Sequence, residues 1–329
     1  MSRQEFWRGR KVFITGANGF LGSWLARALV SHGAEVVALV RDRVAQGGLR
    51  LQGVEDSVTL VNGDLTDYAL LERTLNEYWI DSCFHVAAQA IVSVANRSPL
   101  STFESNIRGT WHLLEACRSR PEVTCIVIAS SDKAYGDHAQ LPYEETLSLN
   151  GAYPYDASKA CAVILASCYA RTFELPLAIT RCANLYGGGD LNFSRLIPDT
   201  MRAVLEDQDP IIRSDGTLVR DYMYVQDGVE GYLLLAEKIE QDHIKGEAFN
   251  FGAERPISVL DLVAKIIELS GRQNLKPSIR GKGKPHAEID RQYLSSHKAA
   301  KFLGWKAQRD LDSGLIETLK WYEAFFAQN

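Results

Sequence analysis

The sequence has no C-x-x-C pair, no internal repeat, no low-complexity tract and no unbroken apolar run of membrane-spanning length. Each absence removes a class of protein. Six cysteines (Cys83, Cys117, Cys125, Cys161, Cys168 and Cys182) sit mostly inside apolar segments. That argues against a disulfide framework or a zinc site and for buried thiols in a reducing compartment, so no metal is expected. Positive charge is not in excess: 36 Lys and Arg against 41 Asp and Glu leave a net charge of −5. Nucleic acid and anionic membrane surfaces, which need a basic face, are disfavoured as partners. Residues 1–11 are polar and basic, and no apolar run follows that would serve as a signal peptide or a membrane span. A cytoplasmic location is expected.

What remains is an ordinary globular composition, with 329 residues, 46% hydrophobic and 23% charged. This length is about two domains' worth and buries a core without staples. Short β-branched runs alternate with helical patterns through the first half. Strands are expected at Val12–Thr15, Val36–Val40, Val58–Val61, Cys83–Val86, Cys125–Ala129 and Leu177–Thr180. Helices are expected at Leu21–Ser31, Asp67–Tyr78, Pro99–Arg118 and Tyr155–Phe173. The alternation predicts βαβ units and a doubly wound parallel α/β sheet of Rossmann type, its strands apolar throughout because both faces are covered.

After Arg181 the rhythm breaks at Gly187-Gly188-Gly189, Pro198, Pro210 and Gly216. A helix at Asp227–Glu240 and a strand at Ala248–Phe251 follow, then a tail from Ile257 with two amphipathic helices and a loop holding Lys282 and Lys284. The expected layout is a dinucleotide-binding domain over 1–182 plus about 225–253. A smaller C-terminal α/β substrate domain then takes 183–224 and 254–329.

The first strand runs straight into Gly16-Ala17-Asn18-Gly19-Phe20-Leu21-Gly22, which opens a helix. Glycines there permit a tight turn, close approach of a pyrophosphate and close helix–strand packing, with the free N–H groups of the helix start facing the phosphates. Asp42, about 20 residues past the loop, is placed to hold the adenosine ribose and favours NAD. Arg41 and Arg43 beside it would suit the 2′-phosphate of NADP instead; the balance falls to NAD. Asp64-Leu65, after the third strand, is either an adenine contact or a turn.

Tyr155-Asp156-Ala157-Ser158-Lys159 sets a tyrosine and a lysine four residues apart, on one helix face. An ammonium beside a phenol favours the phenolate, a base able to take a hydroxyl proton while hydride leaves the same carbon. Ser131 stands at the carboxyl end of a parallel strand. With these motifs the sequence resembles the extended short-chain dehydrogenase/reductase family. The resemblance runs through His85-Val86-Ala87-Ala88-Gln89, Asn106, Ser131, Tyr155 with Lys159, Arg181–Gly187 and Val219-Arg220-Asp221-Tyr222. It implies a nucleotide-sugar-modifying enzyme, with Ala87, Ala88, Gln89 and Asn106 at the cofactor. It also implies a homodimer built on the helices holding Asn106 and Tyr155.

Ser130-Ser131-Asp132-Lys133 separates the reactions. In this family's 4-epimerases the two positions after the catalytic Ser or Thr are usually small or neutral, and in its 4,6-dehydratases they carry an acid and a base. Asp132-Lys133 is similar to the Ser-Asp-Lys of the CDP-glucose 4,6-dehydratases, as are Phe6–Arg10, Gly22–Leu25, Gly187–Asp190 and Arg195–Asp199. Oxidation at C4 of a hexose acidifies the C5 proton, which Lys133 would remove, while Asp132 would protonate the departing 6-hydroxyl. A 4-epimerase is the alternative, and a non-catalytic dinucleotide sensor a remote one.

On the substrate side Arg220 is a candidate diphosphate clamp, against an ion pair with Asp221. Asn184, Arg195 and Arg291 are candidates of the same kind, and Gln89 and Tyr135 for the sugar pocket. His85 reads as a satisfied core imidazole; Trp24 and Trp111 read as core, and Trp305 as packing of the C-terminal domain.

Overall fold

Alternate side chains divide each central strand between two apolar layers. In β1 (Lys11–Thr15) Val12 and Ile14 enter one buried cluster and Phe13 the other. The computed structural model describes residues 2–241, 243–281, 283 and 288–328, so Lys282 and Lys284 lie outside the described residues. Six further strands join the first: β2 (Glu35–Val40), β3 (Thr59–Asn62), β4 (Ser82–His85), β5 (Cys125–Ser131), β6 (Leu177–Cys182) and β7 (Ala248–Phe251). They form one parallel sheet in the order β7-β6-β5-β4-β1-β2-β3. The order reverses between β1 and β4, and the crevice beyond their carboxyl ends is where such sheets bind ligands.

The helices Phe20–Ser31, Tyr68–Glu77, Pro154–Phe173 and Val225–Glu237 fall within a few residues of the predicted bounds. The predicted helix over 99–118 does not run evenly. A π turn, Glu104–Arg108, separates Pro99–Phe103 from Gly109–Arg118. Such turns insert an extra residue and re-aim side chains, and here Asn106 is the residue re-aimed. Short helices at Arg3–Trp7, Gly48–Leu51 and Val92–Arg97 went unread because four to six residues carry no visible period.

Among the described residues the tail holds three helices rather than two. Val259–Leu269 and Leu311–Gln328 pack with Leu196–Leu205 around a separate core of Ile197, Met201, Leu262, Ile266, Leu315 and Tyr322. His297–Leu303, too short to show amphipathic spacing, packs instead on β7. Trp305 follows it: its ring meets Phe251 edge-on at 4.9 Å and its indole N–H donates to the Asp227 carbonyl. The tryptophan expected to pack the C-terminal domain therefore completes the core of the large sheet. Trp24 is partly buried and donates to Gly188 O, whereas Trp111 is exposed rather than in the core. Small strands complete the second layer: Val219–Arg220 lies between Ile257–Ser258 and Arg291–Gln292. Among the described residues no helix is long and apolar enough to cross a membrane.

Candidate active site

The glycine loop is shaped by clearances only hydrogen allows. Gly16 has φ +72°, and a Cβ there would lie 2.7 Å from the Ala87 backbone. A Cβ on Gly22 would lie 2.2 Å from Gly16 O. The helix that follows starts at Phe20 with Gly19 as N-cap and no side-chain cap. Its first N–H groups, those of Phe20, Leu21 and Gly22 included, therefore remain for an anion. Above the loop opens a cavity of about 260 Å³ lined by Gly16, Asn18, Gly19, Arg41, Asp42, Asp64, Leu65, Ala87, Ala88 and Gln89. Asn18 also braces the wall, since its Oδ1 accepts from Leu49 N at 3.2 Å. This cradle fits a dinucleotide: small residues under the phosphate position, a bare helix start, and carboxylates at the rim.

At that rim Arg41 is bound to Asp42 at 2.7 Å, and Arg43 donates to Asn62. Asp64 accepts from both the N–H and the hydroxyl of Thr66, so it makes the turn while lining the cavity. Partial burial works against its charge, but those bonds and Arg41 hold its carboxyl below the usual range. His85 is a satisfied core imidazole, bonded to Thr15 and Thr110 hydroxyls. Burial, with Lys159 adding a little, lowers it to about 3. Asn106 stands behind the cavity: it accepts from Gln89 N at 2.7 Å, and donates to Gln89 O and to Ser158 Oγ on the Tyr155 helix.

Ser131 ends β5, and a single 3₁₀ turn, Asp132–Tyr135, follows. The Ser131 hydroxyl donates to Asp132 Oδ1 at 2.8 Å and accepts from Lys133 N, and it acts on the nearby Tyr155 phenol in favour of its ionised form. Lys159 is buried and donates to Ala129 O at 2.9 Å. Ser131, Asp132, Lys133, Tyr155 and Lys159 are thus brought together at the carboxyl end of the sheet. Burial lowers the Lys159 ammonium to about 8. Burial also pushes the Tyr155 phenol up to about 12, with Arg195 the largest influence in the opposite direction. The expected depression of the phenol by its lysine is thus not what the structure displays: burial dominates, and the foremost cation acting against it is Arg195. Burial raises the Asp132 carboxyl as well, against Lys133, Ser131 and Arg220. A buried carboxyl with a raised pKa can hold and donate a proton.

Arg220 is buried, donates to Val219 O and Asp290 O, and pairs with Glu288 at 2.8 Å rather than with Asp221. Asp221 instead accepts from Glu254 N and Arg255 N. Asn184 donates to the Asp221 carbonyl, and Arg195 pairs with Asp190 at 3.0 Å. Of the remaining candidates, one is wholly buried and one is exposed. Tyr135 is wholly buried, its hydroxyl donating to Asn250 and accepting from Arg181, so it lines no open pocket. Arg291 faces solvent, while its neighbour Gln292 is buried and donates to Asp132 O at 3.0 Å.

Sequence reasoning missed Asp156, Glu288 and Gln292. Asp156 adjoins Tyr155 in the motif itself and is almost fully buried. Burial raises its carboxyl to about 6, opposed by Lys133 and reinforced by Asp132 and Glu288. Between roughly pH 4 and 6 the folded state therefore keeps a proton that the unfolded state has lost, so stability falls as pH rises through that window. Two pKa units correspond to about 3 kcal/mol at most. Asp156→Asn is expected to stabilise the protein by about 1–3 kcal/mol at pH 8 and by less at pH 5. Urea midpoints at the two pH values check it; equal gains at both would remove the buried charge as the cause.

Residues 13–318 match the family model described as GDP-mannose 4,6 dehydratase. The chain is 32% identical to CDP-glucose 4,6-dehydratase of Salmonella typhimurium, covering 99% of this chain and 94% of that protein. It is 28% identical to dTDP-glucose 4,6-dehydratase 1 of Escherichia coli over 95% of this chain and 92% of that protein. Among solved structures, dTDP-glucose 4,6-dehydratase from Streptomyces venezuelae with NAD bound has a TM-score of 0.86 at 27% identity, covering 97% and 98% of the two chains. UDP-glucose 4-epimerase from Thermotoga maritima with UDP-glucose has a TM-score of 0.88 at 26% identity, covering 96% and 99%.

Proposed function

The chain belongs to the GDP-mannose 4,6-dehydratase family, and we propose that it is a nucleotide-sugar 4,6-dehydratase of the CDP-glucose type. It would convert an NDP-hexose to the NDP-4-keto-6-deoxyhexose. The observation that carries this reading is Asp132-Lys133, a buried acid and a lysine on the one turn after Ser131, whose hydroxyl stands near the Tyr155 phenol. The cofactor proposed is NAD, held by the Gly16–Gly22 loop and Asp42; Arg41 is already committed to Asp42, which leaves less for a 2′-phosphate. Bound nicotinamide supplies the acceptor for hydride from C4 and its donor to C6.

The residues do the rest. Tyr155 takes the C4 hydroxyl proton, with Ser131 orienting that hydroxyl and Lys159 favouring the phenolate. Lys133 removes the C5 proton, Asp132 protonates the departing 6-hydroxyl so that water leaves, and the Lys133 ammonium returns a proton to C5 when C6 is reduced. Arg220, with Asn184 and Arg195, grips the diphosphate. Leu100, Trp111, Ile164 and Phe173 are exposed apolar side chains on the paired helices around Asn106 and Tyr155. They suit the face of a homodimer.

Mass spectrometry after incubation with CDP-, UDP-, GDP- and dTDP-hexoses tests the reaction. Loss of one water from one donor is expected. Unchanged mass with a new epimer by NMR would make the chain a 4-epimerase, and no change with any donor would leave only the fold.

A further inference from the structure

One carboxylate in the site holds two cations that the proposed reaction uses separately. Glu288 Oε2 lies 2.8 Å from an Arg220 terminal nitrogen and 3.5 Å from Lys133 Nζ. The proposed function assigns Arg220 to the diphosphate and Lys133 to the C5 proton. Glu288 reaches both because its segment is fixed at the far end. There Arg291–Gln292 pairs with Val219–Arg220, and Gln292 donates to Asp132 O at 3.0 Å. Arg220 is anchored twice more, to Val219 O and Asp290 O. Of the three partners Glu288 is the least enclosed: its side chain is 28% exposed, against 7% for Arg220 and 14% for Lys133. It is the group that can leave.

We propose that Glu288 is an anion gate that occupies the diphosphate's position on Arg220 and sets the threshold a ligand must pass to enter. A small anion offers Arg220 no more than Glu288 already gives, so it gains little by entering. A nucleoside diphosphate brings two phosphates and further contacts, and it displaces the carboxylate. That displacement removes the carboxylate from Lys133 in the same event, so filling the phosphate position releases the lysine side chain toward the hexose. Asp132 and Asp156, the other carboxylates acting on Lys133, are buried and stay.

The inference rests on the reading of the site given above, and calorimetry of the whole protein separates the two. CDP, UDP, GDP and dTDP are titrated into wild type to find which binds, and inorganic pyrophosphate is titrated beside them. In Glu288→Gln, pyrophosphate is expected to bind at least about tenfold more tightly, the measure of one charge-assisted hydrogen bond no longer broken on entry. The nucleoside diphosphate, which must break the same pair, should gain by a similar factor. Acetylation of Lys133 by acetic anhydride, read by peptide mass spectrometry, should be faster in the variant. A merely structural Glu288 would weaken both ligands alike, and an affinity for pyrophosphate that does not rise, or unchanged Lys133 labelling, overturns the gate. If wild type binds no nucleoside diphosphate at all, the gate falls together with the dehydratase reading. If it binds one and the variant binds neither ligand more tightly, the gate falls alone.

Discussion

Tyr155→Phe is expected to lower the rate of C4 oxidation by about 10²–10⁴-fold, the range for removing a positioned general base. The change deletes one oxygen from a side chain whose phenol stands near Ser131. The helix that carries it, Pro154–Phe173, keeps its packing on the sheet through Val163, Ala166 and Ala170. Binding of a nucleoside diphosphate should therefore stay within about threefold while turnover collapses, because the loss falls on the transition state rather than on binding. The result is sharpened by the height of the phenol's pKa, about 12 in this structure. A base so reluctant to ionise needs its cationic neighbours, and Lys159→Met should cost a comparable factor. If Tyr155→Phe turned over like wild type with every active donor, the proton would have to leave by another route, and the non-catalytic reading would gain.

The second large effect separates the two steps. Asp132→Asn and Lys133→Gln should each slow loss of water by about 10²–10⁴-fold while leaving the first oxidation largely intact. Stopped-flow absorbance should then show reduced dinucleotide and 4-keto sugar accumulating on the enzyme, with no 6-deoxy product by mass spectrometry. Asp132→Asn is the cleaner of the pair. Its Oδ1 accepts from Ser131, its Oδ2 has no partner, and the Gln292 bond goes to the backbone, which asparagine keeps. An epimerase would lose little from either change. Unimpaired water loss in both variants would move the acid and base elsewhere in the site, with Asp156 the next carboxyl to test.

The parts of this site legible in the sequence are those set by local geometry. Glycines at 16, 19 and 22 and the four-residue interval from Tyr155 to Lys159 express turn and helix periods directly. The β strands stood out because covering both sheet faces leaves unbroken apolar runs. What could not be read depends on partners far along the chain. Tyr135 is withdrawn from the site by Arg181 and Asn250, and Glu288 is drawn in by Arg220 and Lys133. Arg291 and Gln292 show how little a two-residue strand reveals. Successive residues face opposite ways, so choosing the wrong neighbour exchanges solvent for the site. Asp156 lay inside a recognised motif and still escaped notice, because nothing local says that a helical aspartate is buried.

Trp305 carries a consequence for how such a chain can be altered. It sits 54 residues past the last strand of the sheet and yet seals that sheet's core against Phe251. The polypeptide passes from one core to the other and back before it ends. A gene fragment stopping after β7 would leave an open apolar face on the large sheet, and it should express as insoluble material. Recombination cannot exchange the second core here as one contiguous block, since two separated stretches must move together and their seams must match. Lineages carrying this architecture would diversify by point substitution inside the interleaved pieces, and laboratory chimaeras should be cut at two places rather than one.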